Sequence, residues 1–154
     1  MRVLAEIPAR PSPELRPGSL RRCDIEAFER VLGDLGGARV VLVGDGDREG
    51  SFGALGLAAA AAAAGRRAAL LECDLAKPRL AEGVGLARAP GLREHLRGEA
   101  AIGRILKPVV LAGPGSARAS EPLVCVVAGR PEPDGARLLA SPAFAESIPR
   151  LRAP

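Results

Sequence analysis

The segment from residue 39 to residue 72 constrains the fold of this chain more than any other. It opens with Arg39-Val-Val-Leu-Val43, a β-branched run typical of a strand buried on both faces of a parallel sheet. A polar, glycine-rich loop from Gly44 to Gly53 leads into an alanine-rich helix from about Phe52 to Ala64, and a second strand covers Ala68 to Glu72. Strand, loop, helix and strand form one βαβ unit. We therefore predict an α/β fold with three layers and a mainly parallel sheet.

The residues before this unit divide into two parts. Residues 1 to 22 are rich in proline and arginine and are predicted to form an N-terminal linker, separate from an α/β domain over 23–154. Asp24 is a suitable N-cap for a helix that ends at Gly36-Gly37. The apolar face of that helix carries Ile25, Phe28, Leu32 and Leu35.

Four further elements are predicted downstream of the βαβ unit. Short helices are expected over 91–97 and 99–106, and a third buried strand over 123–128. The last helix is predicted to run to about residue 148, with Ser141 as its N-cap and Pro142 in its first turn.

Composition excludes several classes of function. The chain has 154 residues, of which 47% are hydrophobic and 26% charged, as in a soluble globular protein. Its net charge of +4 is carried by scattered arginines, and without an aromatic stacking surface we expect no nucleic-acid binding. Cys23, Cys73 and Cys125 lack metal-ligand spacing, and their odd number favours the reducing cytoplasm. The longest apolar run, Leu57 to Ala64, is too short to cross a bilayer.

The loop between the first strand and the alanine helix has the placement of a phosphate site. Glycines let backbone N–H groups converge on an anion at a helix N-terminus, and the candidate binding residues are Gly46, Arg48, Gly50 and Ser51. A P-loop also needs a lysine before its Ser or Thr, and this loop has none. Its own acids would repel a phosphate. An ordinary turn between strand and helix explains the same spacing.

Glu72 and Asp74 follow the second strand, at the edge where open α/β sheets place their ligand sites. Two carboxylates at this edge could hold a magnesium-bound water or act as a base, and Asp74 is the candidate metal ligand. The alternative is that Asp74 caps the turn that follows it.

Several short motifs occur in the order of one known family. They are Ala69-Leu-Leu-Glu-Cys-Asp-Leu-Ala-Lys-Pro-Arg-Leu80, Pro90-Gly-Leu-Arg-Glu-His-Leu-Arg-Gly-Glu-Ala100, Val127-Ala-Gly-Arg-Pro-Glu-Pro133 and Arg137-Leu-Leu-Ala-Ser-Pro-Ala-Phe144, preceded by Leu4-Ala-Glu-Ile-Pro8 and Glu26-Ala-Phe28. The set resembles the bacterial tyrosine autokinases of capsule and exopolysaccharide export, which are relatives of the deviant Walker-A ATPases. The resemblance implies a sheet of the P-loop NTPase type.

The resemblance also assigns roles to the candidate residues. It implies ATP and magnesium as cofactors, and it places Glu72 and Asp74 on the two acids of the Walker A′ motif, where the family has Asp in place of Glu72. It places 44–52 on the Walker A loop with one residue deleted. The lysine position then falls on Phe52, Ser51 or Gly50, depending on the alignment, and none of these is lysine. The implied P-loop is therefore degenerate.

Three functional hypotheses follow from this resemblance. The first is a degenerate autokinase-like pseudoenzyme that binds ATP weakly or not at all and acts as a regulator or partner in exopolysaccharide or capsule biosynthesis. The second is an active tyrosine kinase or ATPase that uses Arg48 and Asp74 and is completed by a partner chain. The third is a non-catalytic fragment. The chain contains no tyrosine, so self-phosphorylation on tyrosine is chemically impossible.

The family resemblance also predicts partners and location. A polysaccharide-export membrane protein or a full-length kinase homologue is the expected partner, and the expected location is the cytoplasm, at the inner face of the membrane through that partner. No Walker B segment is recognisable, so the sheet is expected to be truncated, with Val40 to Val43 at an unpaired edge. An uncovered apolar edge favours association, and we expect self-association or a requirement for a partner.

Overall fold

The computed structural model describes residues 22–34, 49–109 and 123–152. The chain divides into two compact units. The first comprises Met1–Ala68 and Val110–Leu123, and the second comprises Ala69–Val109 and Val124–Pro154. The predicted strand over 39–43 and the predicted helix end at Gly36-Gly37 lie outside the described residues.

Two helices are described in the first unit. Helix α1 spans Arg22–Asp34, so the prediction of Asp24 as its N-cap was wrong. Arg22 and Cys23 carry nothing that stops a helix, and a sequence pattern does not fix a boundary to better than two residues. Helix α2 spans Glu49–Ala63 and begins three residues earlier than predicted. The glycines of this stretch suggested a loop, but the first turn of a helix accepts them because its N–H groups need no partner within the helix.

The middle of helix α2 is buried on every side. Its five consecutive alanines from Ala58 to Ala62 are all buried, and five successive residues make more than one full turn of a helix. Gly65 ends it in the left-handed conformation, with φ of 71°. Its N–H donates to Ala62 O at 3.0 Å, and the N–H of Arg66 donates to Ala61 O at 2.9 Å. These two bonds form a Schellman motif, which explains why Gly65 stands directly after the alanine run.

The described part of the second unit is built around a small sheet. Its strands are β1 (Ala69–Leu71), β2 (Lys107–Val109) and β3 (Leu123–Val126), in the spatial order β1-β3-β2. Strand β1 runs parallel to β3 with Leu70 opposite Cys125. The predicted strands after the alanine helix and over 123–128 are thereby confirmed, and the α/β class with them. Strand β2 was not predicted.

Five short helices accompany this sheet. They are α3 (Leu80–Gly83), α4 (Leu92–Leu96), α5 (Ile102–Ile105), α6 (Gly135–Leu139) and α7 (Pro142–Arg152). Helix α4 confirms a prediction, and α7 starts where predicted but ends at Arg152 and not at about residue 148. Helix α5 is shorter than predicted, and α3 and α6 were not predicted.

Ser141 directly precedes α7, at the position predicted for the N-cap, but its hydroxyl is used by a different contact. Its hydroxyl donates to Leu138 O at 2.6 Å, because α6 ends just before it and leaves that carbonyl within reach.

The apolar core of this unit lies between the sheet and the helices that follow it. Its buried members are Leu75, Leu92, Leu96, Ile105, Val126 and Ala128, and the residues packed against them include Leu138, Leu139, Phe144 and Leu151. Cys125 is fully buried, and burial raises the pKa of its thiol to about 12, so it acts as an apolar core residue. Among the described helices, none combines the length and apolarity needed to cross a membrane.

The contact between α1 and α2 generates a stability prediction. A Cβ at Gly56 would overlap the buried ring of Phe28. We expect Gly56→Ala to lower the free energy of unfolding by about 1–2 kcal/mol, since overpacking outweighs the gain in helix propensity. Gly33→Ala is the matched control because nothing lies within 4 Å of its Cβ position. It should raise stability by up to about 1 kcal/mol. Urea denaturation measures both, and equal gains in the two variants would contradict the predicted contact.

Candidate functional site

The described part of the candidate site is the turn that follows β1, here called the Asp74 turn and comprising residues 72–79. Strand β1 ends at Leu71, and the N–H of Glu72 donates to Val126 O at 3.0 Å, which extends the parallel ladder by one step. The structure therefore places Glu72 and Asp74 at the carboxyl end of β1, as the sequence predicted.

Glu72 is bound on both of its carboxylate oxygens. Oε1 accepts hydrogen bonds from the N–H groups of Arg79 at 2.6 Å and Leu80 at 2.7 Å, and Oε2 accepts one from Ala128 N–H at 2.9 Å. Arg79 and Leu80 start helix α3, whose first N–H groups have no partner within the helix. Glu72 therefore joins the start of α3 to the backbone just beyond β3.

Asp74 is exposed, and its Oδ1 accepts a hydrogen bond from Lys77 N–H at 2.9 Å. This is the contact expected of a residue that caps the following turn, the alternative given to it from the sequence. The catalytic and metal-binding roles of Asp74 stay predictions.

The carboxylates differ in how well they suit a magnesium ion. In the ranges 22–34, 49–109 and 123–152, no three His, Cys, Asp or Glu side chains are grouped closely enough to hold a metal. Magnesium in a nucleotide site can nevertheless use one carboxylate together with phosphates and water, and the exposed Asp74 suits that role. Glu72 suits it poorly, because three N–H groups already use its oxygens.

The Asp74 turn is held on its other side by residues 130–135. Leu75 is buried, and its carbonyl accepts the N–H of Glu132 at 2.8 Å. A Cβ at Gly135 would lie 2.7 Å from Leu75 Cβ, so glycine permits the close approach of the two segments. The turn and this loop are therefore packed directly on one another.

Glu132 has an ionic role that the sequence analysis missed. Its Oε2 accepts hydrogen bonds from Arg97, one of them from Nε at 2.9 Å, and lies 3.6 Å from Arg93 Nε. The hydrogen bonding by Arg97 lowers the pKa of Glu132, and the N–H of Asp134 and the charges of both arginines add to this effect. Arg93 on α4 and Arg97 directly after it are four residues apart and share a face, and this spacing could have indicated an acidic partner.

Helix α4 docks on the end of β3 through backbone bonds. The N–H groups of Leu92 and Arg93 donate to the carbonyls of Val127 and Ala128, both at 2.8 Å. A Cβ at Gly91 would overlap this backbone, so only glycine fits there. The motifs at residues 90–92 and 128–130 therefore contact one another directly.

Glu94 completes the contact from the helix side and is buried. Its Oε2 accepts Gly91 N–H at 2.8 Å, and its Oε1 accepts Arg130 N–H at 3.1 Å. The first bond is one half of a capping box, since glycine offers no side chain to return the other half.

His95, the only histidine, is a structural residue in this arrangement. Its Nδ1 lies 2.9 Å from Ala100 O, and its Nε2 lies 3.1 Å from the hydroxyl of Ser147 on α7. A ring nitrogen facing a carbonyl must carry the proton, so Nδ1 donates to Ala100. His95 therefore links α4 to α7.

The residues assigned to the phosphate loop are described only in part. Gly50 and Ser51 lie in the first turn of α2, whereas Gly46 and Arg48 lie outside the described residues. The placement of Gly50 and Ser51 at a helix N-terminus agrees with the position that a phosphate loop requires.

Comparison with known proteins identifies the fold. No family model and no curated protein matches the chain. The chimerical protein CapA2B2 matches 82% of the chain with a TM-score of 0.67 and 22% identity, and the match covers 55% of that protein. The kinase domain of the Escherichia coli tyrosine kinase ETK matches 82% of the chain with a TM-score of 0.67 and 16% identity, covering 49% of that domain. The VpsO kinase domain matches 70% with a TM-score of 0.56 and 24% identity, covering 48% of that domain.

These neighbours identify the fold. The chain shares the fold of the ETK tyrosine kinase domain and the VpsO kinase domain, which confirms the likeness predicted from the motifs at the level of the fold. The chain spans about half the length of the solved proteins that it matches.

The ion pair of Glu132 generates a pH prediction. Because its folded pKa lies below the ordinary value of 4.5, its contribution to stability is present above that value and is lost as the pH falls through the folded value. We expect Glu132→Gln to be less stable than wild type at neutral pH and to lose less stability on acidification. Urea denaturation in neutral and acidic buffer measures both effects.

Asp134→Asn is the control for this measurement. Asp134 is an exposed acid two residues away, and its pair with Arg137, at 3.9 Å, is open to solvent. We expect almost no change in this variant. Equal acid sensitivity of wild type and Glu132→Gln would contradict the assignment.

Proposed function

We propose that the protein is a degenerate tyrosine-kinase-like domain that binds nucleotide weakly or not at all and acts as a regulator or partner in exopolysaccharide or capsule biosynthesis. The fold shared with bacterial tyrosine kinase domains supports the family origin of this function.

The composition of the phosphate loop carries the proposal. Residues 44–52 contain no lysine, and the chain has only Lys77 and Lys107. A phosphate loop uses a lysine as a point charge on the terminal phosphates, and charge-assisted bonds of this kind are worth roughly 1.5–3 kcal/mol. Lys107 already donates from Nζ to Ala87 O. Asp45, Asp47 and Glu49 add repulsion against an incoming triphosphate.

The contacts of Glu72 also support a non-catalytic domain. A carboxylate has about four lone-pair positions, and three of those of Glu72 already accept backbone N–H bonds, so Glu72 is poorly placed to take a proton or bind magnesium. Of the two Walker A′ acids, this leaves Asp74 as the residue that would hold magnesium when nucleotide binds. The ion would neutralise the charge of the phosphates.

The first test is a calorimetric titration with magnesium-ATP. We expect a dissociation constant weaker than about 1 mM, because the lysine contact is missing and the loop is acidic. Ser51→Lys restores a lysine at one of the aligned positions and should tighten binding about tenfold or more. A micromolar constant for wild type that is lost in Arg48→Ala would overturn the proposal and favour an active enzyme.

The alternative of an active kinase completed by a partner chain is favoured by one observation, which is the exposure of Asp74 at the carboxyl end of β1. The chain has no tyrosine, so any transfer to a tyrosine must go to another protein. We expect no phosphotyrosine on a co-incubated polysaccharide-export protein, as measured with labelled ATP. Transfer that disappears in Asp74→Asn but persists in Asp134→Asn would establish the alternative.

We propose the cytoplasm, at the inner face of the membrane, as the place of action. The partner would be a polysaccharide-export membrane protein or a full-length kinase homologue. Stoichiometric co-purification with such a protein separates this function from that of a non-catalytic fragment without a partner.

A further inference from the structure

We propose that Glu72 is a positioning residue that fixes the Asp74 turn in one conformation without any ligand. This inference deepens the proposed function and rests on it, because the proposed function gives Glu72 no part in binding phosphate or magnesium. Its evidence is the set of contacts made by the Glu72 carboxylate.

The three donors of Glu72 come from two places far apart in the sequence. Arg79 and Leu80 lie seven and eight residues downstream, and Ala128 lies 56 residues downstream. The first two are N–H groups that α3 leaves unpaired, and the third belongs to the first residues after β3. One side chain therefore closes the turn onto its own end and onto the neighbouring strand.

The length of the glutamate side chain matters for this arrangement. Both oxygens are within 2.6–2.9 Å of their donors at once. Aspartate at this position would be one bond shorter and could not keep the contacts to α3 and to Ala128 together. Glu72 is thus suited to joining the two segments.

The rest of the turn is held from the opposite side. Leu75 O accepts Glu132 N–H at 2.8 Å, and Gly135 allows its loop to approach Leu75. Asp74 binds Lys77 N–H within the turn. Both ends and the middle of the turn are therefore bound to protein groups, and we infer that its conformation does not depend on nucleotide.

The test is amide hydrogen exchange by NMR on the full chain, with two variants of Glu72. In Glu72→Ala all three donors lose their acceptor, and exchange at Arg79, Leu80 and Ala128 should be about tenfold faster. In Glu72→Gln the single remaining oxygen can serve Arg79 and Leu80, while the amide NH2 faces Ala128 as a second donor. Faster exchange confined to Ala128 is expected in this variant. Glutamine fills nearly the same volume as glutamate, so a role of Glu72 in packing alone would not produce that pattern.

Asp134→Asn is the control, since its exposed side chain pairs with Arg137 and the three donors of Glu72 should keep their wild-type exchange. Unchanged exchange at these donors in Glu72→Ala would overturn the positioning role, as would a change in their exchange in wild type on addition of magnesium-ATP.

The two proposals can fail separately. Magnesium-ATP binding to wild type with a micromolar dissociation constant, with exchange of the three donors still governed by Glu72, would overturn the proposed function and support the positioning role.

Discussion

The backbone just beyond β3 is the point on which the second unit depends. Val126 O accepts Glu72 N–H, and Val127 O and Ala128 O accept the first N–H groups of α4. Ala128 N–H donates to Glu72, and Arg130 N–H donates to Glu94. A strand that ends in a buried position would otherwise leave these polar groups unpaired, at a cost of about 1–3 kcal/mol each. Two carboxylates, one helix start and the backbone N–H of Glu72 satisfy them instead.

This arrangement restricts the sequence around it more than the apolar core does. Gly91 must be glycine because α4 approaches the backbone of Gly129, and Gly129 itself has a φ of 99°. Glutamates at 72 and 94 are buried or half-buried acceptors whose donors are fixed main-chain groups. An apolar core tolerates exchange among residues of similar volume, whereas these positions allow no such exchange.

Sequence reasoning found what local patterns specify. The apolar runs predicted β1 and β3, Gly65 marked the end of α2, and Pro142 marked the start of α7. Strand β2 has three residues and contains a proline, and α3 has four residues, so neither has a repeat long enough to detect.

The start of α2 was misplaced for a different reason. Its glycines are equally compatible with a loop and with a first helical turn, so the local pattern could not decide between them.

The candidate site was predictable in position but not in its long-range contacts. The end of a buried strand located Glu72 and Asp74 correctly. Ala128, a partner of Glu72, lies 56 residues away in the sequence, and Arg97, the partner of Glu132, lies 35 residues away. No local pattern reports such contacts. The motif resemblance assigned a catalytic role to Glu72, which stays a prediction, and it did not indicate that this carboxylate is bound to main-chain donors.

The hydrogen bonds that organise the second unit are independent of phosphate binding. The bonds that organise the Asp74 turn and α4 use backbone groups, glycines and buried glutamates, and none of them requires a bound phosphate. A lysine in a phosphate loop interacts only with bound ligand, so its absence from residues 44–52 would weaken binding and leave these bonds intact. The described fold of the second unit can therefore form without a lysine in the phosphate loop.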